Sequence, residues 1–341
     1  MRKSPTTIWL SALLAVLITP AAAQTPPSDS RNRRDEIGEE EVVRVNTVLV
    51  SLPVVVSDRE GRYVPNLRQD DFQVLEDGVE QRIAHFATAE TPFTVALLLD
   101  TSGSARLRLR EIQEAAAGFV EHLRPGDRVA LISFGEKVEL LAGPTNDRES
   151  LRKAIRGVPL GNSTPLYDAV DFVLRRLFDG VAGRKAVVLL TDGLDNGSAA
   201  STAEASMHDA EELDVLIYPV QYDPFVDETR AFATALNRPP ELRSERIYPP
   251  GFNDKDYEKA GRYLRELALR TGGRYYHADG AATVKRAFKS IAEELSFQYS
   301  LCYYPKAAPE RSRPRAIKVK VRQPHLSART RSSYIYNPPV N

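Results

Sequence analysis

Three stretches of this sequence carry oxygen-bearing side chains where a ligand could be held. Asp100-Thr101-Ser102-Gly103-Ser104 follows directly on the apolar run Phe93 to Leu99. Thr191-Asp192-Gly193 closes a second apolar run, Ala186 to Leu190. Between them, Gly161-Asn162-Ser163-Thr164-Pro165-Leu166 leads into a helical stretch with a hydroxyl at its start. Two carboxylates and three hydroxyls make a hard-oxygen donor set, which suits Mg²⁺, Mn²⁺ or Ca²⁺ and not zinc. Each stretch alone has an ordinary local reading, since Ser and Thr after a strand cap helices and Asp-Gly marks a turn. Their order and their placement at strand ends are what make a site, because ligands of open α/β sheets bind at the carboxyl ends of the strands.

Other chemistries are excluded by what the chain lacks. The histidines at 85, 122, 208, 277 and 325 form no i, i+4 pair, and the single Cys302 permits neither an intrachain disulfide nor a multi-cysteine metal cluster. Cys302 lies on an alternating strand and reads as a small apolar side chain. Gly-x-Ser-x-Gly and Gly-x-x-x-x-Gly-Lys-Ser/Thr are both absent from the sequence. Lys plus Arg and Asp plus Glu are each 46, so no basic excess points to nucleic acid. A hydrophobic share of 42% and a charged share of 27% are those of a globular chain, and 341 residues suffice for two domains.

The loops need a scaffold, and the hydropathy pattern supplies one. From Phe93 to about Ser296 strands and helices alternate: strands at 93–99, 128–134, 186–190, 215–220 and 274–277, helices near 112–123, 147–155, 166–178, 203–213, 257–270 and 281–295. That alternation predicts a doubly wound, mostly parallel sheet with helices on both faces. Flanking it, residues 42–88 and 297–337 alternate with period two, and Asp77-Gly78 between Phe72–Leu75 and Val79–Ile83 is a hairpin signal. Neither flank is long enough for its own core, so they are expected to pair into one small antiparallel β-sandwich with the α/β domain (92–296) inserted between them.

At the N-terminus, Arg2 and Lys3, the apolar stretch Ile8 to Ile18 and Ala21-Ala22-Ala23 read as a signal peptide over residues 1–23, followed by a polar, flexible lead-in at 24–41. The expected location is extracytoplasmic, periplasmic or secreted, with membrane attachment only if that segment stays uncleaved. Residues 222–256 are long for a strand-to-helix connection and rich in proline, and they leave the strand on the same edge as the oxygen-bearing loops. Asp223, Asp227 and Asp254 in this insert are candidates for one wall of a partner site.

Residues Phe93 to about Leu295 resemble a von Willebrand factor type A domain, the fold shared with integrin inserted domains. The likeness rests on the Asp-x-Ser-x-Ser loop, the loop threonine and the later strand-end aspartate, which together match the metal-ion-dependent adhesion site of that family. The resemblance implies that Asp100, Ser102, Ser104, Thr164 and Asp192 hold the ion, the hydroxyls directly and the carboxylates directly or through water. An open position then takes a carboxylate from a partner. Over the mature chain, Val48 to Val56, Asp70-Asp71-Phe72 with Leu75 to Gly78, and Thr164 to Ala169 are similar to an acidobacterial-type family of exported proteins related to that domain. One departure stands out: the loop reads Gly-Asn-Ser-Thr where many relatives have Gly-Gly-Thr, which makes Ser163 an alternative ligand.

The reading that follows is a non-enzymatic, exported module that binds a protein partner presenting Asp or Glu through Mg²⁺, with Mn²⁺ or Ca²⁺ as alternatives, and binds no nucleic acid. Two rivals remain. One is a metal-dependent hydrolase with Asp100 as nucleophile, although an aspartyl-phosphate enzyme needs a carboxylate where Ser102 stands. The other is a structural metal with binding through the β domain.

Overall fold

The two apolar runs that end in aspartate are neighbouring strands. The computed structural model describes residues 49–88, 91–222, 252–307 and 313–336, the side chains at 104, 106 and 107 excepted, and all of these fall within one structural unit, Thr47–Asn341. The expected signal segment 1–23 and lead-in 24–41, the first residues of the expected β flank (42–48) and the insert positions Asp223 and Asp227 lie outside the described residues.

In chain order the strands of the first flank are β1 Val50–Ser57, β2 Phe72–Glu76, β3 Val79–Gln81 and β4 Ile83–Ala87. The central sheet contains β5 Phe93–Asp100, β6 Arg128–Phe134, β7 Val138–Thr145, β8 Arg184–Thr191, β9 Leu216–Tyr222 and β10 Tyr276–Ala278. The second flank adds β11 Tyr299–Tyr303, β12 Pro314–Val321, β13 Ser327–Arg329 and β14 Ser333–Ile335. The described helices are α1 Leu109–His122, α2 Arg148–Arg156, α3 Leu166–Phe172, α4 Ala203–Glu212, α5 Asp254–Thr271 and α6 Ala281–Ser296.

The central sheet has the order β10-β9-β8-β5-β6-β7. Every neighbour pair is parallel except β6 with β7. Every residue of β5 is buried, as its nearly unbroken apolar run requires, because helices cover both faces. On one face Leu97 and Leu99 pack with Phe119 of α1, Leu151 of α2 and Phe288 of α6; on the other Leu98 packs with Ile132, Val170 of α3, Ala210 of α4 and Leu264 of α5. Burying one such leucine completely contributes roughly 1.5–3 kcal/mol. The architecture is therefore α/β and doubly wound, flanked by a small antiparallel β-sandwich.

Three elements differ from the expectation. Strand β7 was absent from the pattern: it is a half-exposed edge with Gly143 and Pro144 in it, and its pairing with β6 is irregular, so it shows no clean period. The helix expected over 166–178 ends at Phe172 and continues as a single π turn, Val173–Leu177, where the Phe178 N–H donates to the Val173 carbonyl at 3.0 Å. Helix α5 starts three residues earlier than expected. Asn253 accepts from the Lys255 N–H at 2.9 Å while Asp256 accepts from the Asn253 N–H at 3.0 Å, which closes a capping box.

The flanks form two four-stranded sheets, β13-β1-β11-β4 and β14-β12-β2-β3, so each sheet takes strands from both ends of the chain. Val50 pairs with Tyr303 and Ile317 with Glu76, and Leu52, Val74, Leu301 and Val319 share one apolar cluster. The β2–β3 turn has positive φ at Asp77 (48°) and Gly78 (83°), the conformation the Asp-Gly pair was expected to supply.

Two buried carboxylates tie the fold together. Glu76, 2% exposed, accepts from Tyr303 Oη at 2.6 Å and faces Arg315 Nη1 at 3.4 Å inside the sandwich. Glu294 of α6 is fully buried; it accepts from Tyr218 Oη of β9 at 2.7 Å, from Tyr63 Oη at 3.2 Å and from Arg329 of β13. Arg329 also donates to the Gly273 carbonyl at 2.6 Å, just past the end of α5. One guanidinium thus links the sandwich to two helices of the α/β domain. Arg329→Ala strips Glu294 of its cation, and urea unfolding of that variant should show a loss of about 3 kcal/mol.

Candidate metal centre

Asp100 ends β5 and Thr191 ends β8, and because Leu99 pairs with Leu190 the two ends are adjacent. Asp100 is fully buried. Its Oδ2 accepts from Thr191 Oγ1 at 2.7 Å and its Oδ1 from the Ser102 N–H at 3.0 Å. Burial pushes the Asp100 carboxyl above its ordinary value; hydrogen bonds from the Ser102 hydroxyl and N–H, the Thr191 hydroxyl and the Asp192 N–H pull the other way. Ser102 is 4% exposed and stands at the head of a 3-10 turn, Gly103–Arg108. Ser104 lies in that turn, and its side chain is outside those described. Asp192 is 2% exposed and its Oδ1 accepts from the Leu194 N–H at 2.9 Å, a bend that the left-handed φ of Gly193 (88°) permits.

The third loop is stitched to the other two through its main chain. The Gly161 N–H donates to the Thr101 carbonyl at 2.8 Å, and the Ser163 N–H donates to the Gly135 carbonyl at 2.6 Å. The Thr164 N–H donates to Asn196 Oδ1 at 2.6 Å. Thr164 itself is 4% exposed. The approach is close enough to demand glycine: a Cβ on Gly161 would sit 2.2 Å from the Gly135 carbonyl carbon, and one on Gly197 would sit 2.0 Å from Ser163 Oγ. Ser163, the alternative to Thr164, therefore has its hydroxyl packed against Gly197.

Residues 195–201 were missed in the sequence and frame this loop. Asp195 Oδ1 accepts from the Leu166 N–H at 2.9 Å at the first turn of α3, and from Ser198 Oγ at 2.5 Å. Asp168 accepts in return from the Ala199 N–H at 2.9 Å and the Ser201 N–H at 2.7 Å. The available signal was the Asp-x-x-Asp-Asn spacing after the strand end at 192, which looks like a polar turn when read alone. Of the insert positions, Asp254 opens α5, and Phe252 and Tyr257 beside it pack with Leu194, two residues beyond Asp192.

The donors at the strand ends are all oxygen, held in buried main-chain frames, and their chemistry fits a hard divalent cation. Among the described residues, the one tight grouping of three His, Cys, Asp or Glu ligand atoms lies elsewhere, at His208, Asp209 and Glu212 around α4. Its buried member, Asp209, is already paired with Arg175 through Nε at 2.6 Å and Nη2 at 2.5 Å.

Residues 95–194 match the family profile described as the von Willebrand factor type A domain, a span that runs from β5 to just beyond Asp192. The parallel-sheet domain is a von Willebrand factor type A domain. Such domains are protein-interaction modules. An uncharacterized protein of Borreliella burgdorferi is 25% identical over 221 residues, which is 64% of this chain and 56% of that protein; the chain thus spans little more than half the length of this curated relative. A solved von Willebrand factor type A protein from Catenulispora acidiphila is similar with TM-score 0.46 and 11% identity over 87% of this chain and 76% of that one. Proximal thread matrix protein 1 from the mussel byssus, solved with a zinc-occupied adhesion-site motif, is similar with TM-score 0.45 and 14% identity over 64% of this chain and 49% of that one.

The stitching of the loops is open to test by adding a methyl group. Gly161→Ala should cost about 1–3 kcal/mol in urea unfolding, because the added carbon has only backbone to displace. Gly103→Ala, whose Cβ meets nothing within 4 Å, should stay near wild type.

Proposed function

We propose that this chain is an exported protein-binding module whose strand-end loops hold a divalent cation and present it to a carboxylate of a partner protein. The observation that supports the reading is that three loops distant in sequence are joined by hydrogen bonds, Thr191 to Asp100, Gly161 to Thr101 and Thr164 to Asn196. Ser102, Ser104 and Thr164 would supply neutral hydroxyl oxygens, and Asp100 and Asp192 the two negative charges. When bound, the cation supplies a Lewis-acidic position for an incoming Asp or Glu. Two carboxylates can balance one divalent ion, and neutral ligands leave it electrophilic enough to take a third carboxylate. Mg²⁺ is the expected ion for such a small, all-oxygen donor set. Export rests on the signal-like segment over residues 1–23. Among the described residues no helix is long and apolar enough to cross a membrane.

A binding role is preferred over hydrolysis because Ser102 occupies the place where an aspartyl-phosphate enzyme needs its second carboxylate. The packing of Phe252 and Tyr257 on Leu194 supports the insert as a wall of the partner site, with Asp254 at its edge.

Isothermal titration with Mg²⁺ tests the site. Wild type should bind, and Asp100→Ala should bind at least about 100-fold more weakly, since removing even an indirect support of a metal site costs 10–100-fold. Pull-down from an envelope fraction should then recover a partner with Mg²⁺ and lose it with chelator.

A pH series in chelator gives a second check. The folded Asp100 keeps its proton to higher pH than the unfolded chain, so its contribution to stability falls as pH rises above about 3.8. The stability of wild type relative to Asp100→Asn should therefore decline with pH in that direction, and saturating Mg²⁺ should remove the decline.

A further inference from the structure

Thr164 sits in irregular backbone, where no helix or strand ladder fixes the direction of its hydroxyl. Both of its main-chain groups instead bond to Asn196, the carbonyl accepting from the Leu166 N–H at 2.9 Å as well. The Thr164 N–H donates to Asn196 Oδ1 at 2.6 Å, and the Thr164 carbonyl accepts from the Asn196 N–H at 3.2 Å. This two-bond ring joins the loop of Thr164 to the loop that begins at Asp192. The same short stretch is anchored on both sides of Asn196. Upstream, Asp192 Oδ1 holds the Leu194 N–H at 2.9 Å; downstream, Ser198 Oγ donates to Asp195 Oδ1 at 2.5 Å, and that same Oδ1 accepts from the Leu166 N–H at 2.9 Å. Gly197 admits the close contact, since a Cβ there would lie 2.0 Å from Ser163 Oγ and 3.2 Å from the Pro165 nitrogen.

We propose that Asn196 is the positioning residue of the metal centre: it fixes Thr164 relative to Asp192, so that two donors from separate loops act as one preformed pair. The proposal rests on the metal-site reading above. Asn196 is itself exposed and its carboxamide oxygen accepts from the Thr164 N–H, so the proposed effect on the ion passes through Thr164. A neutral amide also holds the loop without adding a third negative charge, which keeps the centre receptive to a partner's carboxylate.

The test is Mg²⁺ titration of the full chain in six forms: wild type, Asp100→Ala, Asn196→Ala, Asn196→Asp, Thr164→Ala and the Asn196/Thr164 double variant, each checked for folding by circular dichroism. Asn196→Ala should weaken Mg²⁺ binding 10–100-fold, the range for an outer-shell partner, while the protein stays folded. In the Thr164→Ala background it should cause no further loss, because its effect passes through that residue. Asn196→Asp, which keeps the acceptor oxygen, should restore binding to wild-type strength or better. Asn196→Ala binding Mg²⁺ like wild type, or losses that add fully in the double variant, would overturn the positioning role while Asp100→Ala still marks the site. Should wild type itself give no Mg²⁺ binding, both readings fall together.

Discussion

The pairing of β5 with β8 is the constraint on which the rest of the α/β domain depends. It sets the carboxyl ends of two fully buried strands side by side, and so brings Thr191 within 2.7 Å of Asp100. A carboxylate without access to solvent is costly unless its oxygens are occupied. Here the neighbouring strand and the following turn provide donors from hydroxyl and main chain, and the burial still outweighs them in raising the Asp100 carboxyl. Once ionised, a carboxylate buried in this frame is stabilised by any positive charge brought beside it. The loops above it have backbone N–H groups turned to carbonyls and carboxylates, with glycine at two of the closest approaches, 161 and 197.

How far the sequence foretold this structure depended on the range of the interaction. Strands β5 and β8 announce themselves because burial on both faces leaves unbroken apolar runs, Val95 to Leu99 and Ala186 to Leu190. The β2–β3 turn does so because Asp77 and Gly78 tolerate positive φ. The oxygen donors were evident from residue type and from their position at strand ends. Strand β7 was not, because an edge strand exposed along one side and irregularly paired needs no repeating pattern. The π turn at Val173–Leu177 has no sequence mark distinct from α-helix. Asn196 and Asp195 escaped notice because their partners are backbone groups 29 to 32 residues away, and any polar turn could have carried the same letters. The carboxylate hubs at Glu76 and Glu294 are similarly invisible: a glutamate at such a position looks like solvent-facing charge until the tyrosines and arginines from other elements arrive.

The sandwich and the sheet domain are joined by directional contacts and not by apolar area alone. Arg329 holds the carbonyl after α5 and the carboxylate near the end of α6 at once, and Tyr63 and Tyr218 approach the same carboxylate from the two domains. Such an arrangement has few alternative geometries, since each donor leaves an unmet buried charge if it moves. The domain that carries the candidate site is therefore mounted on its neighbour in a defined orientation.

The register that sets Val50 opposite Tyr303 carries a temporal consequence. Strands β1 and β4 of the first flank have no hydrogen-bonded neighbour in their sheet until β11, Tyr299–Tyr303, has been made, whereas every strand of the parallel sheet finds its partners within the intervening stretch. Contacts of such long separation close slowly. Synthesis from the N-terminus thus leaves β1 waiting, its apolar face uncovered, while the inserted domain can already assemble. Completion of the sandwich is gated by arrival of β11 to β14, and a chain cut short before β11 would keep every strand of the parallel sheet yet present an orphaned, adhesive edge.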